Sequence, residues 1–451
     1  MQTKLKIPRL LVEAALADLY RPHPVAAERV GFFSTKVTRA KSIVIVHCIA
    51  YHPVSDADYI RDNSVGARIG SGAITEAMAR CAADVGQLHV HAHGGRGTPV
   101  PSITDSSETP SVARSLWNVN RKHACGWGIL SDDGGWASVL ISPERDDAVE
   151  GQVALIGYPI TVARARRIAV QAPLWWRKLF RRKCAIGNRY DRQSFLGPDS
   201  DKIFANLRVG IVGLGGGGSH IAQQLAHLGV CHFVLCDPDT ISESNLNRTV
   251  AATESDVDHH TCKTTIAKRQ IRGLHPDADI VVIGKWQSRS EPLLHCDVVL
   301  GCVDTFAGRR DLESFCRRHL IPYVDVGMDV LKESGRGHEI IGQVILSMPG
   351  RPCMHCMGFL TEELLAEEAR RYGAAGGRPQ VVFANGVICS AGVGVVVDLV
   401  TSWSGNRRQS VYLNFRGSDL SLRDDPRLRH LADTCEHYPL IQAGDPTWTP
   451  L

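Results

Sequence analysis

Gly213-Leu214-Gly215-Gly216-Gly217-Gly218-Ser219 follows directly on an apolar run, Arg208–Val212, and leads into a segment with apolar residues at Ile221, Leu225 and Leu228. Strand, glycine turn and helix in that order predict a phosphate-binding loop. Glycine alone lets backbone N–H groups approach a phosphate closely and take positive φ without strain. The helix over 219–228 then aims its positive dipole end at the same phosphates. Gly213, Gly215, Gly216, Gly218 and Ser219 are therefore expected to cradle a nucleotide.

Asp237 ends an apolar strand, His232–Cys236, at the spacing where dinucleotide enzymes hold a ribose hydroxyl. Loop and acid together fit NAD and ATP equally. The twelve residues Asp237–Arg248 separate the two, because they carry acids, the amides Asn245 and Asn247, and Arg248. Hydride transfer has no use for that set. A triphosphate does, since arginine neutralises phosphate charge through its planar fork and amides orient it.

From here the chain resembles the adenylating enzymes of the ThiF/MoeB and ubiquitin-activating family over roughly residues 186–437. Arg189-Tyr190-Asp191-Arg192-Gln193 looks like the family's leading motif, and the glycine loop, Asp237–Arg248, Lys263, Asp297–Asp304 and Pro352–Cys356 follow in the family's order. The resemblance implies a doubly wound, Rossmann-like sheet with ATP at the glycine turn. It further implies Asp237 on the ribose, Asn245, Arg248 and Lys263 on the phosphates, and Asp304 on Mg²⁺. Arg192 would reach the phosphates of a partner subunit in a homodimer. The implied reaction is attack of a carboxylate on the α-phosphate of ATP. Both reactants are anionic, so catalysis is mostly positioning and charge neutralisation.

The first third holds a second chemistry. His91-Ala92-His93 precedes Ser102-Ile103-Thr104-Asp105, and Glu28 stands just before an apolar strand, Arg29–Phe33. Two imidazoles and a carboxylate can hold zinc and leave a fourth position open. A glutamate beside that position is a general base of the metalloprotease kind. The pattern resembles the JAMM (MPN, JAB-type) isopeptidase signature. It implies a mixed α/β domain in which His91, His93 and Asp105 ligate zinc, Glu28 is the base and Ser102 helps stabilise an oxyanion. Gly94 stands where that family has proline, and the interval from His93 to Ser102 is one residue longer than usual. His89 with His91 offers a shifted frame whose downstream spacing fits less well. A histidine-rich loop with satisfied imidazoles is the bland alternative.

Cys353 and Cys356 have the spacing of a structural zinc site, which needs four ligands. Cys435 and His437 are expected to complete it, with His430 a rival for the last place. A thioester cysteine is harder to find. The crossover expected over Gly358–Asn385 contains none, and Cys389 just beyond it reads first as a core residue and second as a candidate.

At 451 residues and net charge +4, the chain is long enough for two or three domains and gives no case for nucleic-acid binding. The expected division is a hydrolase-like domain over 1–158, a basic and aromatic linker over 159–187, and an adenylating domain over 188–451. Val381–Val400 contains Asn385, Ser390 and Asp398 and reads as a buried strand–helix rather than a membrane span. No signal peptide is visible in the first residues, and fourteen scattered cysteines suit a reducing cytoplasm.

The expected whole activates the C-terminal glycine of a ubiquitin-like protein and trims its precursors or conjugates, using ATP, Mg²⁺ and Zn²⁺, beside a conjugating-enzyme-like partner. Activation of a sulfur carrier for thiamin- or molybdopterin-type biosynthesis is one alternative. A non-catalytic scaffold for a ubiquitin-like protein is another.

Overall fold

The computed structural model describes residues 2–141, 151–164, 188–333, 337–370 and 379–444. One compact unit is built chiefly from Met1–Gln171. The other is built chiefly from Ala172–Arg317 and Ile321–Tyr438. The basic, aromatic stretch of the expected linker, Pro173–Lys183, lies outside the described residues.

In the first unit the strands are β1 (Gln2–Pro8), β2 (Val30–Arg39), β3 (Ile43–Pro53), β4 (Tyr59–Ile60), β5 (Arg68–Ile69), β6 (Gly86–Ala92), β7 (Cys125–Leu130), β8 (Trp136–Ile141), β9 (Gly151–Ile156) and β10 (Thr161–Arg164). Eight form a mixed sheet in the order β10-β9-β1-β3-β2-β6-β7-β8, and β4 pairs with β5. The helices are α1 (Arg9–Leu19), α2 (Ser71–Ala82) and α3 (Ile103–Val119). Strand alternation divides the core in two. Phe33 and Val90 pack with Leu11, Val12 and Ala15 of α1. Phe32 and Trp127 pack with Ala73 and Ala77 of α2 and Leu116 of α3. Each buried Val, Leu or Phe among these contributes roughly 1.5–3 kcal/mol. The antiparallel β2–β6 pairing sets Val30 opposite His91, so Glu28, just before β2, comes to the strand end that carries the histidines.

The second unit contains β11 (Arg208–Val212), β12 (His232–Cys236), β13 (Asp279–Ile283), β14 (Val298–Gly301), β15 (Tyr323–Glu333), β16 (Gly337–Ser347), β17 (Val411–Arg416) and β18 (Ser421–Asp424). The order is β13-β12-β11-β14-β15-β16-β17-β18. The first five strands are parallel and the last three join antiparallel. The reversal of order beside β11 makes the crevice in which α/β sheets bind ligands. The helices here are α4 (Ser200–Asn206), α5 (Gly216–Leu228), α6 (Glu254–Asp258), α7 (Lys263–Leu274), α8 (Glu291–Leu294), α9 (Phe306–Arg318), α10 (Glu362–Arg370) and α11 (Val382–Thr401).

Two expectations are corrected. The helix after the glycine turn begins at Gly216, not Ser219. A Cβ at Gly218 would lie 1.8 Å from the Gly213 carbonyl, so glycine is what lets the first turn close on the loop. The apolar window near 381–400 is a single helix, α11, with ten buried residues. It is long and apolar enough to cross a membrane, yet half of its most apolar window is buried in the fold. Part of the crossover is helical, as α10, and residues 371–378 of it lie outside the described residues.

Candidate functional site

The glycine turn lines a cavity of about 790 Å³. Gly213 takes φ +89°, and a Cβ there would also lie 2.3 Å from the Cys302 carbonyl. Gly213, Gly215 and Gly216 face the cavity with Gly217. Gly218 and Ser219 do not line it. Ser219 is buried, its hydroxyl donates to the Gly216 carbonyl at 3.1 Å, and it accepts the Val250 N–H at 3.0 Å. Its work in this structure is to lock the loop onto the helix.

Asp237, Asn245, Arg248, Lys263 and Asp304 all face the same cavity. Asp237 directly follows β12 and accepts the Leu214 N–H at 2.6 Å and the Asp239 N–H at 2.9 Å. Burial pushes its carboxyl above the usual range, against the pull of Lys263 and those N–H groups. Lys263, the first residue of α7, pairs with Asp239 at 2.8 Å. Arg248 donates to the Ser244 carbonyl at 2.5 Å and to Asn247 at 3.0 Å. The cavity thus joins two cations to backbone N–H groups at a helix start, and to Asp304, a hard oxygen donor of the kind Mg²⁺ takes. Arg192 lies exposed on a 3₁₀ segment, Asn188–Leu196, and is not part of the lining.

Sequence reasoning missed Arg309, Gln380 and Asn385, which also line the cavity. Arg309 pairs with Asp325, which is fully buried and also accepts the Tyr323 hydroxyl at 2.8 Å and Gln343 Nε2 at 3.1 Å. Arg309 stands five residues after Asp304 on α9, a spacing that could have flagged it. Asp325→Asn is expected to leave the guanidinium uncompensated and to cost about 3–5 kcal/mol, read by chemical denaturation. At the start of α9, Glu368 of α10 accepts the Phe306 and Ala307 N–H groups at 3.0 and 2.9 Å, which ties the crossover helix beside Asp304. Cys389 is buried in α11 with its thiol on the Gly217 carbonyl at 3.3 Å, and burial pushes that thiol up to about 12. It is a core residue here, not an exposed nucleophile.

In the first unit, β6 carries His91, and His93 follows the strand end, its N–H donating to the Leu130 carbonyl. His91 Nε2 lies 3.1 Å from His93 Nε2 and 3.1 Å from Asp105 Oδ1, and His93 Nε2 lies 3.4 Å from the other carboxylate oxygen, Asp105 Oδ2. Four ligands about 2.0–2.1 Å from a tetrahedral zinc stand roughly 3.3 Å apart, so these spacings fit the ion. His93 Nδ1 meets the Val100 carbonyl at 3.1 Å, which leaves Nε2 for the cluster. Ser102 caps α3, accepting the Asp105 N–H while Asp105 accepts the Ser102 N–H at 2.7 Å. Burial works to raise Asp105, but hydrogen bonds from His91 and Ser102 outweigh it and hold the carboxyl well below its usual range. The mutually close group is Glu28 with His91 and His93, all three ligand atoms within 4.8 Å of one another, and it does not take in Asp105, the expected third ligand, which meets the two histidines pairwise. His89 is not in that group. It is buried, which holds its pKa down near 3, and its Nδ1 meets no partner among the described residues.

Cys353, Cys356, Cys435 and His437 form a second group within 4.8 Å. The Cys356 thiol lies 3.6 Å from Cys353, 3.7 Å from Cys435 and 3.3 Å from His437 Nδ1. Edges of a tetrahedron with zinc–sulfur bonds of about 2.3 Å are roughly 3.8 Å, so this set fits zinc as well. His430 is outside the group, which leaves the fourth place to His437. Behind it, buried Glu313 accepts the Met354 N–H at 2.8 Å and the Ser347 hydroxyl, holding the Cys353–Cys356 turn. Protein grown with zinc is expected to carry about two ions per chain. By elemental analysis, Cys353→Ser should remove one and His91→Ala the other.

Comparison with known proteins matches the ThiF family over residues 190–436. The chain is 32% identical over 176 residues to the SAMP-activating enzyme E1 of Haloferax volcanii, covering 38% of this chain and 61% of that protein. It is 31% identical over 134 residues to the sulfur carrier protein ThiS adenylyltransferase of Escherichia coli, covering 28% and 53%. With the molybdopterin-synthase adenylyltransferase of Escherichia coli it shares 31% over 183 residues, covering 39% and 69%. The chain therefore spans little more than half the length of the first two of these relatives. Among solved structures, Escherichia coli MccB with ATP superposes with a TM-score of 0.44 at 21% identity, covering 53% of this chain and 71% of that one. The family match begins at residue 190, so the reading of the first unit's site stands on its own geometry.

Proposed function

We propose, for a chain that belongs to the ThiF family, that the second unit adenylates the C-terminal carboxylate of a ubiquitin-like protein and that the first unit hydrolyses a bond in the same protein's precursors or conjugates. The observation that carries the first half is the convergence of Asp237, Asn245, Arg248, Lys263 and Asp304 on the glycine-lined cavity. The carboxylate oxygen attacks the α-phosphorus of ATP, a P–O bond forms, the bond to the β-phosphate oxygen breaks, and pyrophosphate leaves. Arg248 and Lys263 neutralise the phosphates, and Lys263 exchanges Asp239 for them. Asp237 holds the ribose while it fixes the loop. Asp304 would hold Mg²⁺, which neutralises phosphate charge when bound.

In the first unit, His91, His93 and Asp105 would hold zinc, which as a Lewis acid polarises a carbonyl and acidifies water. Glu28 accepts the water's proton and delivers it to the leaving amine. Ser102 keeps a hydroxyl proton free to donate, because its oxygen is the acceptor in the helix cap.

Relatives named for activating SAMP and for adenylating a sulfur carrier protein support a protein substrate, so the sulfur-carrier reading is kept as the second. A homodimer in which Arg192 reaches the other copy's pocket belongs to the proposal. Exposed Phe195, Phe383, Val387 and Trp403 supply an apolar surface for it. The free thiols fit a reducing cytoplasm. The test is mass spectrometry of a ubiquitin-like protein ending in glycine after incubation with chain and ATP. An AMP adduct on its C-terminus is expected, and an unmodified tail with ATP intact would count against the reading.

A further inference from the structure

Gly66 lies in the segment between β4 and β5, and its carbonyl accepts two N–H groups, those of Ala27 and Glu28, both at 2.9 Å. The same residue sits against the Glu28 side chain. A Cβ on Gly66 would stand 2.6 Å from Glu28 Cδ and Oε2 and 3.0 Å from Oε1. Gly66 does not take a left-handed φ, so its backbone has no need of glycine and the close approach to the carboxylate is the reason left. The segment is braced from within. Asp62 accepts the Ser64 N–H and hydroxyl at 2.9 and 2.6 Å and pairs with Arg68 at 2.9 Å.

We propose that Gly66 is a positioning residue that seats the Glu28 carboxylate beside His91 and His93. The proposal rests on the hydrolase reading of that site. The three atoms nearest such a Cβ all belong to the Glu28 carboxylate, so an added methyl group acts first on the base. The carboxylate is the far end of a flexible side chain, so it swings away at little cost to the fold.

The experiment compares the full chain with Gly66→Ala, Glu28→Ala and the double variant. Cobalt(II) is the spectroscopic probe, and a ubiquitin-like protein extended past its terminal glycine is the substrate. Difference spectra between variants cancel the cysteine cluster. Gly66→Ala is expected to keep cobalt affinity within about twofold, to change the visible spectrum as Glu28→Ala does, and to lower cleavage about 100-fold or more, the range of a general base. The double variant is expected to match Glu28→Ala in both readouts. Unchanged spectrum and cleavage in Gly66→Ala would overturn the proposal and leave the hydrolase reading standing. Failure of cobalt to bind at the histidines, with His91→Ala making no difference, would overturn both.

Discussion

Asp304→Ala is expected to reduce ATP–pyrophosphate exchange by two to three orders of magnitude while the chain stays folded. The carboxylate faces the nucleotide cavity, and among the described residues it has no hydrogen-bond partner to lose. Its removal therefore falls on the reaction rather than the fold. Attack of one anion on another needs the charge that develops on the phosphates to be met by fixed groups, and deleting one such group costs about 10²–10³ in rate. Asp304 would also anchor the metal, so the loss should stand at the upper end and excess Mg²⁺ should recover part of it. Arg309 on the same helix start is the control. It is tied to Asp325 in the protein interior, so its substitution should lower stability together with activity. An Asp304→Ala chain with full exchange would remove Asp304 from the mechanism.

Glu28→Gln is expected to abolish cleavage, by about 10²–10⁴, and to leave zinc content unchanged. Glutamine matches the shape of glutamate but cannot take a proton at neutral pH. His91, His93 and Asp105 stand within 3.1–3.4 Å of one another without it. His91→Ala should differ in kind, losing metal and cleavage together. Adenylation should be unaffected by either change. Retained cleavage in Glu28→Gln would assign the base to another group.

Much of this was legible in the sequence, for local reasons. The glycine turn needs positive φ and close backbone approach, and only glycine supplies both. Ser102-x-x-Asp105 is a helix-capping signature that the structure forms as such, and the cap leaves the Asp105 carboxylate within 3.4 Å of both histidines. His91 and His93 are legible because a strand end turns alternate residues into neighbours. Gln380 and Asn385 were not legible, because a segment far along the chain, at and just before the start of α11, brings them to the cavity, whereas Arg309 carried only its spacing from Asp304. Ser219 and Gly218 were read as lining and lie behind it, since the helix starts within the glycine run. Cys389 and His430 needed burial and distance, which spacing alone does not carry. Gly66 carries no signal in the sequence, because its meaning lies in a contact across thirty-eight residues of chain.

The central claim is carboxylate activation, and the most direct measurement is ATP–pyrophosphate exchange by the purified chain. The assay takes a ubiquitin-like protein ending in Gly-Gly beside the same protein shortened by its last glycine. Exchange that requires the terminal glycine and disappears in Asp304→Ala is the predicted result. A chain that binds ATP yet exchanges no pyrophosphate with the intact tail, or exchanges equally with both tails, would contradict the account.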